Sequence, residues 1–150
     1  MPIIDDAVVP VAKVSEFIKR VYDLFEGYRM PVTMWGHIGD GNIHVQPLLD
    51  LSQLGDRQKV FRILDDFYSM VIEFGGSTSA QYNDGRLRAP YLEKLYGAEG
   101  YELLRKVKKI FDPHNTLNTG VKIDVSLEDI KPIVRHDFSL QHLYSHMPRT

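Results

Sequence analysis

Apolar residues recur along this chain with two different periods. In "VAKVSEFIKRVYDLFEG", residues 11–27, Val14, Phe17, Ile18, Val21 and Leu24 return at helical spacing with charges between them, and Gly27 ends the run. Residues 57–74 place Val60, Ile63, Leu64, Phe67, Met70, Val71 and Phe74 on one stripe before Gly75-Gly76. Phe67, Tyr68, Met70 and Phe74 read as helix core and rim. Between these two helices, "PVTMWGH" and "NIHVQPL" alternate in the manner of strands and flank a glycine-rich turn, which predicts a hairpin. Residues 2–9 read as a short strand closed by Pro10, and "STSAQY", residues 77–82, as a fourth strand.

The order strand, helix, strand, strand, helix, strand predicts an α+β fold of the ferredoxin-like βαββαβ kind. Its open antiparallel sheet carries both helices on one face, within a core of about residues 2–84. Residues 91–96 and 99–111 add helical pattern, with Leu103, Leu104, Val107, Ile110 and Phe111 apolar, before Asp112-Pro113 breaks it. The stretch of about 88–150 then forms a helical extension and a wrapping tail with two short helical candidates. One domain over residues 1–150 is the expectation.

Composition narrows the function. Hydrophobic residues make up 43% of the 150, enough for one real core. Eighteen basic against twenty acidic residues leave a net charge of -2 and no basic stripe for a phosphate backbone, so nucleic acid is not an expected partner. The absence of cysteine removes disulfides, thiolate metal sites and a cysteine nucleophile. The start "MPIIDDAVVP" is acidic where a signal peptide is basic, and no apolar run reaches spanning length, so a cytoplasmic protein without a transmembrane segment is expected.

The candidate chemistry lies in the hairpin. "GHIGDGNIH", residues 36–44, sets two histidines around Gly39, Asp40 and Gly41. A register with His37 opposite His44 brings their Cβ atoms to about 4.5–5.5 Å, within reach of one metal ion. It also pairs Trp35 with Gln46 and sends Val32, Met34, Ile43 and Val45 to the helix side, leaving the histidines on the uncovered face. A third ligand is then needed, and Asp40 is available as an outer hydrogen-bond acceptor. Spacing alone leaves open the plainer reading, in which Gly39, Asp40 and Gly41 make a turn and the histidines are solvated strand residues. Asp84 is a reserve carboxylate, and Arg86 and Arg88 are able to pair with a substrate carboxylate. His142 and His146 would share a helical face without an evident third ligand, His114 reads as a loop residue, and Ser77, Thr78 and Ser79 lack a nucleophile elbow.

Three ordered motifs carry a resemblance. "GHIGDGNIH", "GGSTSAQYNDG" and "IFDPHNTLNTG" resemble the C-terminal, substrate-binding half of the FAD-linked oxidases related to D-lactate, glycolate and D-2-hydroxyglutarate dehydrogenases, from about residue 5 to residue 122. The resemblance implies oxidation of a small 2-hydroxy acid by hydride transfer to FAD, with a divalent metal, Zn or Mn, as Lewis acid. It matches His37 and His44 to the histidine ligands and Gln81 to the third metal position. It places Tyr82, with His37, at the catalytic positions. Gln46, Arg86 and Trp35 fall on the substrate side, and Asn118, Asp40 and Asn42 on the cofactor side.

The chain departs from the family pattern at three places. Gln81 stands for a glutamate, so an ion would sit among neutral ligands. Tyr82 stands for a histidine base, and a phenol that ionises only near about pH 10 is a poor base at neutrality. Thr119 stands for the usual proline. The family's flavin-binding domain lies N-terminal to this region, and no G-x-G-x-x-G here replaces it. The chain alone is therefore not expected to hold FAD firmly or to be active, and its partner is an FAD-binding domain or subunit covering the face with Trp35 and the histidines. A homo-oligomer is compatible with this. The competing expectations are a non-catalytic interaction module of the same fold and, last, a metal-dependent hydrolase, which lacks an activating glutamate near the histidines.

Overall fold

The computed structural model describes residues 3–134. Strand β1 (Asp6–Val8) is shorter than the expected 2–9, and Pro10 turns the chain through a 3-10 turn, Val11–Lys13, into helix α1 (Val14–Gly27). Strands β2 (Val32–Trp35) and β3 (Asn42–Pro47) form the hairpin, separated by a second 3-10 turn at Ile38–Asp40. Helix α2 (Leu54–Glu73) begins three residues before the periodic stripe does.

The sheet is antiparallel in the order β1-β3-β2. Ala7, Ile43 and Val45 point to one side, where they meet Phe17, Val21 and Phe25 of α1 and Ile63, Leu64, Phe67 and Val71 of α2, all buried. Phe17 stands edge-on to Phe67 and Phe74, with ring centroids 6.0 and 5.3 Å away. Each such side chain contributes about 1.5–3 kcal/mol on burial, which makes this layer the source of the fold's stability. The helices thus cover the face that the alternation of Ile43 and Val45 assigns to them.

The expected fourth strand over 77–82 is not formed. Ser77 and Val8 exchange two backbone hydrogen bonds, 3.1 and 2.8 Å, as an isolated bridge on the outer edge of β1. Three residues later the ladder is lost because the N–H groups of Ala80, Gln81 and Tyr82 all donate to one carboxylate oxygen of Asp6, at 2.6, 2.8 and 2.8 Å. The segment folds over the sheet instead of extending it.

Helix α3 (Leu92–Phe111) contains the break that the two helical patterns anticipate: Gly97 has φ 72 and ψ 167, outside helical values. Only Leu92 of this helix is buried. A short α4 (Leu127–Ile130) follows, opened by a capping box in which Ser126 and Asp129 satisfy each other's backbone N–H groups. The second helical candidate of the tail, with His142 and His146, lies outside the described residues. Among the described residues no helix is long and apolar enough to cross a membrane.

Candidate functional site

The hairpin register differs from the sequence expectation by two residues. Trp35, not His37, is opposite His44, and Thr33, not Trp35, is opposite Gln46. An even shift keeps every side chain on its predicted face while changing its partner. The cause is the turn. Residues Ile38–Asp40 coil into a 3-10 turn whose start is tied down when Asp40 and Asn42 donate their N–H groups to the His37 carbonyl, at 2.9 and 3.3 Å. Gly41 then takes φ 75, and a Cβ there would lie 2.0 Å from the Val9 carbonyl oxygen, so only glycine closes the turn against the end of β1. His37 is carried past the end of β2 and is exposed.

His44 is the buried member of the pair, 3% exposed. Its Nδ1 lies 3.2 Å from Asp5 Oδ1, and its Nε2 lies 2.8 Å from Gln81 Oε1. A carboxylate only accepts, so Nδ1 carries a proton; the Gln81 Oε1 that faces Nε2 is an acceptor too, so Nε2 donates to it in this arrangement and presents a lone pair only when the amide is turned to offer its N–H. Trp35 stacks on the imidazole at 5.6 Å and 18°, and Tyr82 leans on it at 5.5 Å and 49°. Trp35 is 44% exposed and Tyr82 54%, so the two rings rim the histidine and present their outer sides to solvent.

Asp6 builds this arrangement, and sequence reasoning missed it. It is fully buried on the histidine side of β1, opposite His44. One of its oxygens takes the three amides at 80–82, and the other takes the Asn42 side-chain amide at 2.9 Å. Arg88 Nη1 approaches the first oxygen at 3.9 Å. Three successive N–H groups around one oxygen form an anion nest, here filled by the protein's own side chain. The available signal was a carboxylate inside the apolar run "IIDDAVV".

The remaining candidates fall into three groups. Gln46 and Thr33 form the next cross-strand row on the histidine face. Asn42 is buried and committed to Asp6, the Ala7 carbonyl and the His37 N–H, while Asp40 is exposed in the turn. Arg88 is held by the Tyr68 hydroxyl at 3.2 Å and the Asn83 carbonyl at 3.1 Å; burial pushes the Tyr68 phenol up to about 12. Asp84 turns away to Lys122, at 2.9 Å, and Thr78. Arg86 lines a small apolar cavity with Ile3, Val60 and Ile130 on the helix side, and Asn118, with φ 46, lines an open groove beside α3. Neither touches the His44 cluster.

The donor set does not fit a divalent cation. Nε2 of His44 meets a neutral amide, the carboxylate that reaches the ring is on the Nδ1 side, and Trp35 occupies the position expected for His37. Among the described residues, no three His, Cys, Asp or Glu side chains come together as a ligand group.

Comparison with known proteins agrees with the three motifs. The family described as FAD linked oxidases, C-terminal domain, matches residues 1–121. Glycolate oxidase subunit GlcD of Bacillus subtilis is 31% identical over 79% of this chain, which covers 25% of that protein. D-lactate dehydrogenase of Archaeoglobus fulgidus is 36% identical over 77% of the chain and 25% of its own length. D-2-hydroxyglutarate dehydrogenase of Escherichia coli is 32% identical over 80% of the chain and 12% of its own length. The chain thus spans a quarter or less of the curated relatives it matches. From the match over residues 1–121 and the extent of these identities, the chain belongs to the family of C-terminal domains of FAD-linked oxidases.

Proposed function

We propose that this chain is the substrate-side domain of an FAD-linked dehydrogenase acting on a small 2-hydroxy acid, with His44 receiving the hydroxyl proton. The observation that supports it is the fixed imidazole: Asp5 holds Nδ1–H, Gln81 and Tyr82 are set over Nε2 by Asp6, and Trp35 backs the ring. With Asp5 holding the proton on Nδ1, Nε2 becomes the working base once the substrate hydroxyl takes the place of the Gln81 oxygen. FAD, when bound, supplies the hydride acceptor, and Trp35 and Tyr82 are this chain's residues that would meet it. Gln46 and Thr33 offer hydrogen bonds to the acid's carboxylate one row along the same face. The sheet is read as ferredoxin-like with its fourth strand reduced to the Val8–Ser77 bridge, and the cysteine-free composition accords with a cytoplasmic setting. A divalent ion at His37, His44 and Gln81 forms no part of this reading, because the donor set is neutral and closed by a hydrogen bond.

The second reading, a non-catalytic module of the same fold, is favoured by the burial of His44 and by Gln81 and Tyr82 in place of a carboxylate and an imidazole. Full-length protein assayed with FAD, a dye acceptor and glycolate, D-lactate or D-2-hydroxyglutarate separates the two. The first reading expects turnover that His44→Ala lowers by about 100-fold or more, the scale of general base catalysis. Absence of turnover with all three acids, or turnover indifferent to His44→Ala, establishes the second.

A further inference from the structure

Arg86 carries a fork suited to a carboxylate, yet the fold takes it away from His44 and gives it no hydrogen bond or ion pair among the described residues. It stands where two pockets adjoin. One is an apolar cavity of about 120 Å³, walled by the buried Ile3, Val60 and Ile130 and by the less buried Leu87, Ile133 and Val134. The other is an open polar pocket of about 270 Å³, which shares Arg86, Ile130 and Ile133 with the first and adds Asp124 and Asp129. Both carboxylates are half used. Asp124 gives one oxygen to Arg105, at 2.5 and 2.7 Å, and Asp129 gives one to the Ser126 hydroxyl and N–H, at 2.6 and 2.9 Å. Their second oxygens, Oδ2 of Asp124 and Oδ1 of Asp129, have no partner among the described residues. The Ser126 hydroxyl, foremost, holds the Asp129 carboxyl below its ordinary 3.8, so it is charged at neutral pH. Arg105 offsets the charge of Asp124, which leaves the carboxylate of Asp129 set against the guanidinium of Arg86.

We infer that these adjoining pockets bind a free α-amino acid with a small aliphatic side chain, of the valine or leucine kind. Each part of such a molecule has its complement here. The carboxylate takes the paired hydrogen bonds that a guanidinium offers, and the ammonium takes the open oxygens of Asp129 and Asp124. The hydrocarbon end enters the cavity: an apolar space of about 150 Å³ holds a benzene ring, so one of about 120 Å³ holds about three or four carbons. Ligands with one charge fit worse. A simple carboxylic acid meets Arg86 but also two aspartates, and a simple amine meets the aspartates but leaves the guanidinium unpaired. A charged side chain is turned away by the apolar walls, where nothing repays its loss of water. Neither pocket is lined by a member of the His44 cluster, so an amino acid bound here is independent of the chemistry proposed for His44.

Amide chemical shifts of the full 150-residue chain, followed by NMR at neutral pH and low salt, test this with six probes. L-leucine and L-valine carry all three features. 4-Methylpentanoate lacks the ammonium, isoamylamine the carboxylate, glycine the side chain, and L-glutamate has a charged side chain. Leucine or valine is expected to bind at least about tenfold more tightly than each of the other four, and to move the amides of Arg86, Leu87, Ile130 and Ile133. Arg86→Gln and Asp129→Asn are each expected to weaken leucine by at least about tenfold. Arg86 is exposed, and the asparagine keeps an oxygen for Ser126, so the fold of both variants is preserved. Arg20→Gln, an exposed site on α1 paired with Glu73, should leave leucine binding unchanged. Amides that do not move with leucine or valine in the tens of millimolar overturn the inference, whatever else fills the cavity. So do 4-methylpentanoate, isoamylamine or glycine binding as tightly as leucine, and leucine binding that survives Arg86→Gln. Shifts confined to residues outside the two pockets overturn it as well.

Discussion

Gln81 decides the chemistry available to His44. Its amide is neutral and touches Nε2 at 2.8 Å, so Gln81→Glu puts a carboxylate where only a dipole now stands, in direct reach of a histidine nitrogen. We expect zinc affinity, measured by calorimetry on the purified chain, to rise by at least about tenfold, equivalent to about 1.4 kcal/mol. An unchanged isotherm would mean that burial under Trp35 and Tyr82, not ligand charge, keeps ions out. Asp6 decides the geometry. Removing its carboxylate in Asp6→Ala leaves the amides of Ala80, Gln81 and Tyr82 without their acceptor and the Asn42 side chain with only the Ala7 carbonyl. The expected cost is about 1–3 kcal/mol in urea unfolding, because the amides of the exposed residues 80–82 can turn to water and only part of the orphaned-donor penalty is felt. The motif residues were legible because glycine and histidine spacing is a local signal. Asp6 was not, because its three amide partners are more than seventy residues away in the chain.

Local pattern determined the helices well and the strand pairing only in part. The stripes on α1 and α2 predicted burial of Phe17, Val21, Ile63 and Phe67, because helical period and burial are the same observation. Alternation in β2 and β3 specified the faces, yet it is blind to a shift of two residues, and the 3-10 turn at Ile38–Asp40 made that shift. At the far end, α3 is terminated by Asp112, which accepts from Lys108, the Thr116 and Leu117 N–H groups and the Thr116 hydroxyl. The Lys108 ammonium, foremost, and these backbone donors hold its carboxyl well below its ordinary value of 3.8. A depressed folded value stabilises above the unfolded one, so this contribution is complete above about pH 4 and is lost as pH falls from there through the folded value. Acid should therefore release the 112–117 loop from α3. Amide exchange at Thr116 and Leu117 is expected to accelerate below pH 4 in the parent, and to be fast and indifferent to pH in Asp112→Ala once the intrinsic acid dependence of exchange is subtracted.

At the scale of the whole molecule the chain holds two kinds of apolar surface, and stability measurements can tell them apart. One is the layer between sheet and helices, where Phe67 is fully buried and its ring meets Phe17 at 6.0 Å and Tyr68 at 5.3 Å. The other is the stripe on α3, where Ile110 keeps 74% of its surface in water. Truncating a buried phenylalanine removes both its transfer free energy and its packing partners, so Phe67→Ala should cost about 3–5 kcal/mol in the isolated chain. Truncating an exposed isoleucine removes neither, and Ile110→Ala should stay within about 0.5 kcal/mol of the parent, with alanine's helix propensity offsetting what little contact is lost. Denaturant midpoints of the two variants test this. A loss of 2 kcal/mol or so for Ile110→Ala in the isolated chain would place α3 inside the chain's own core.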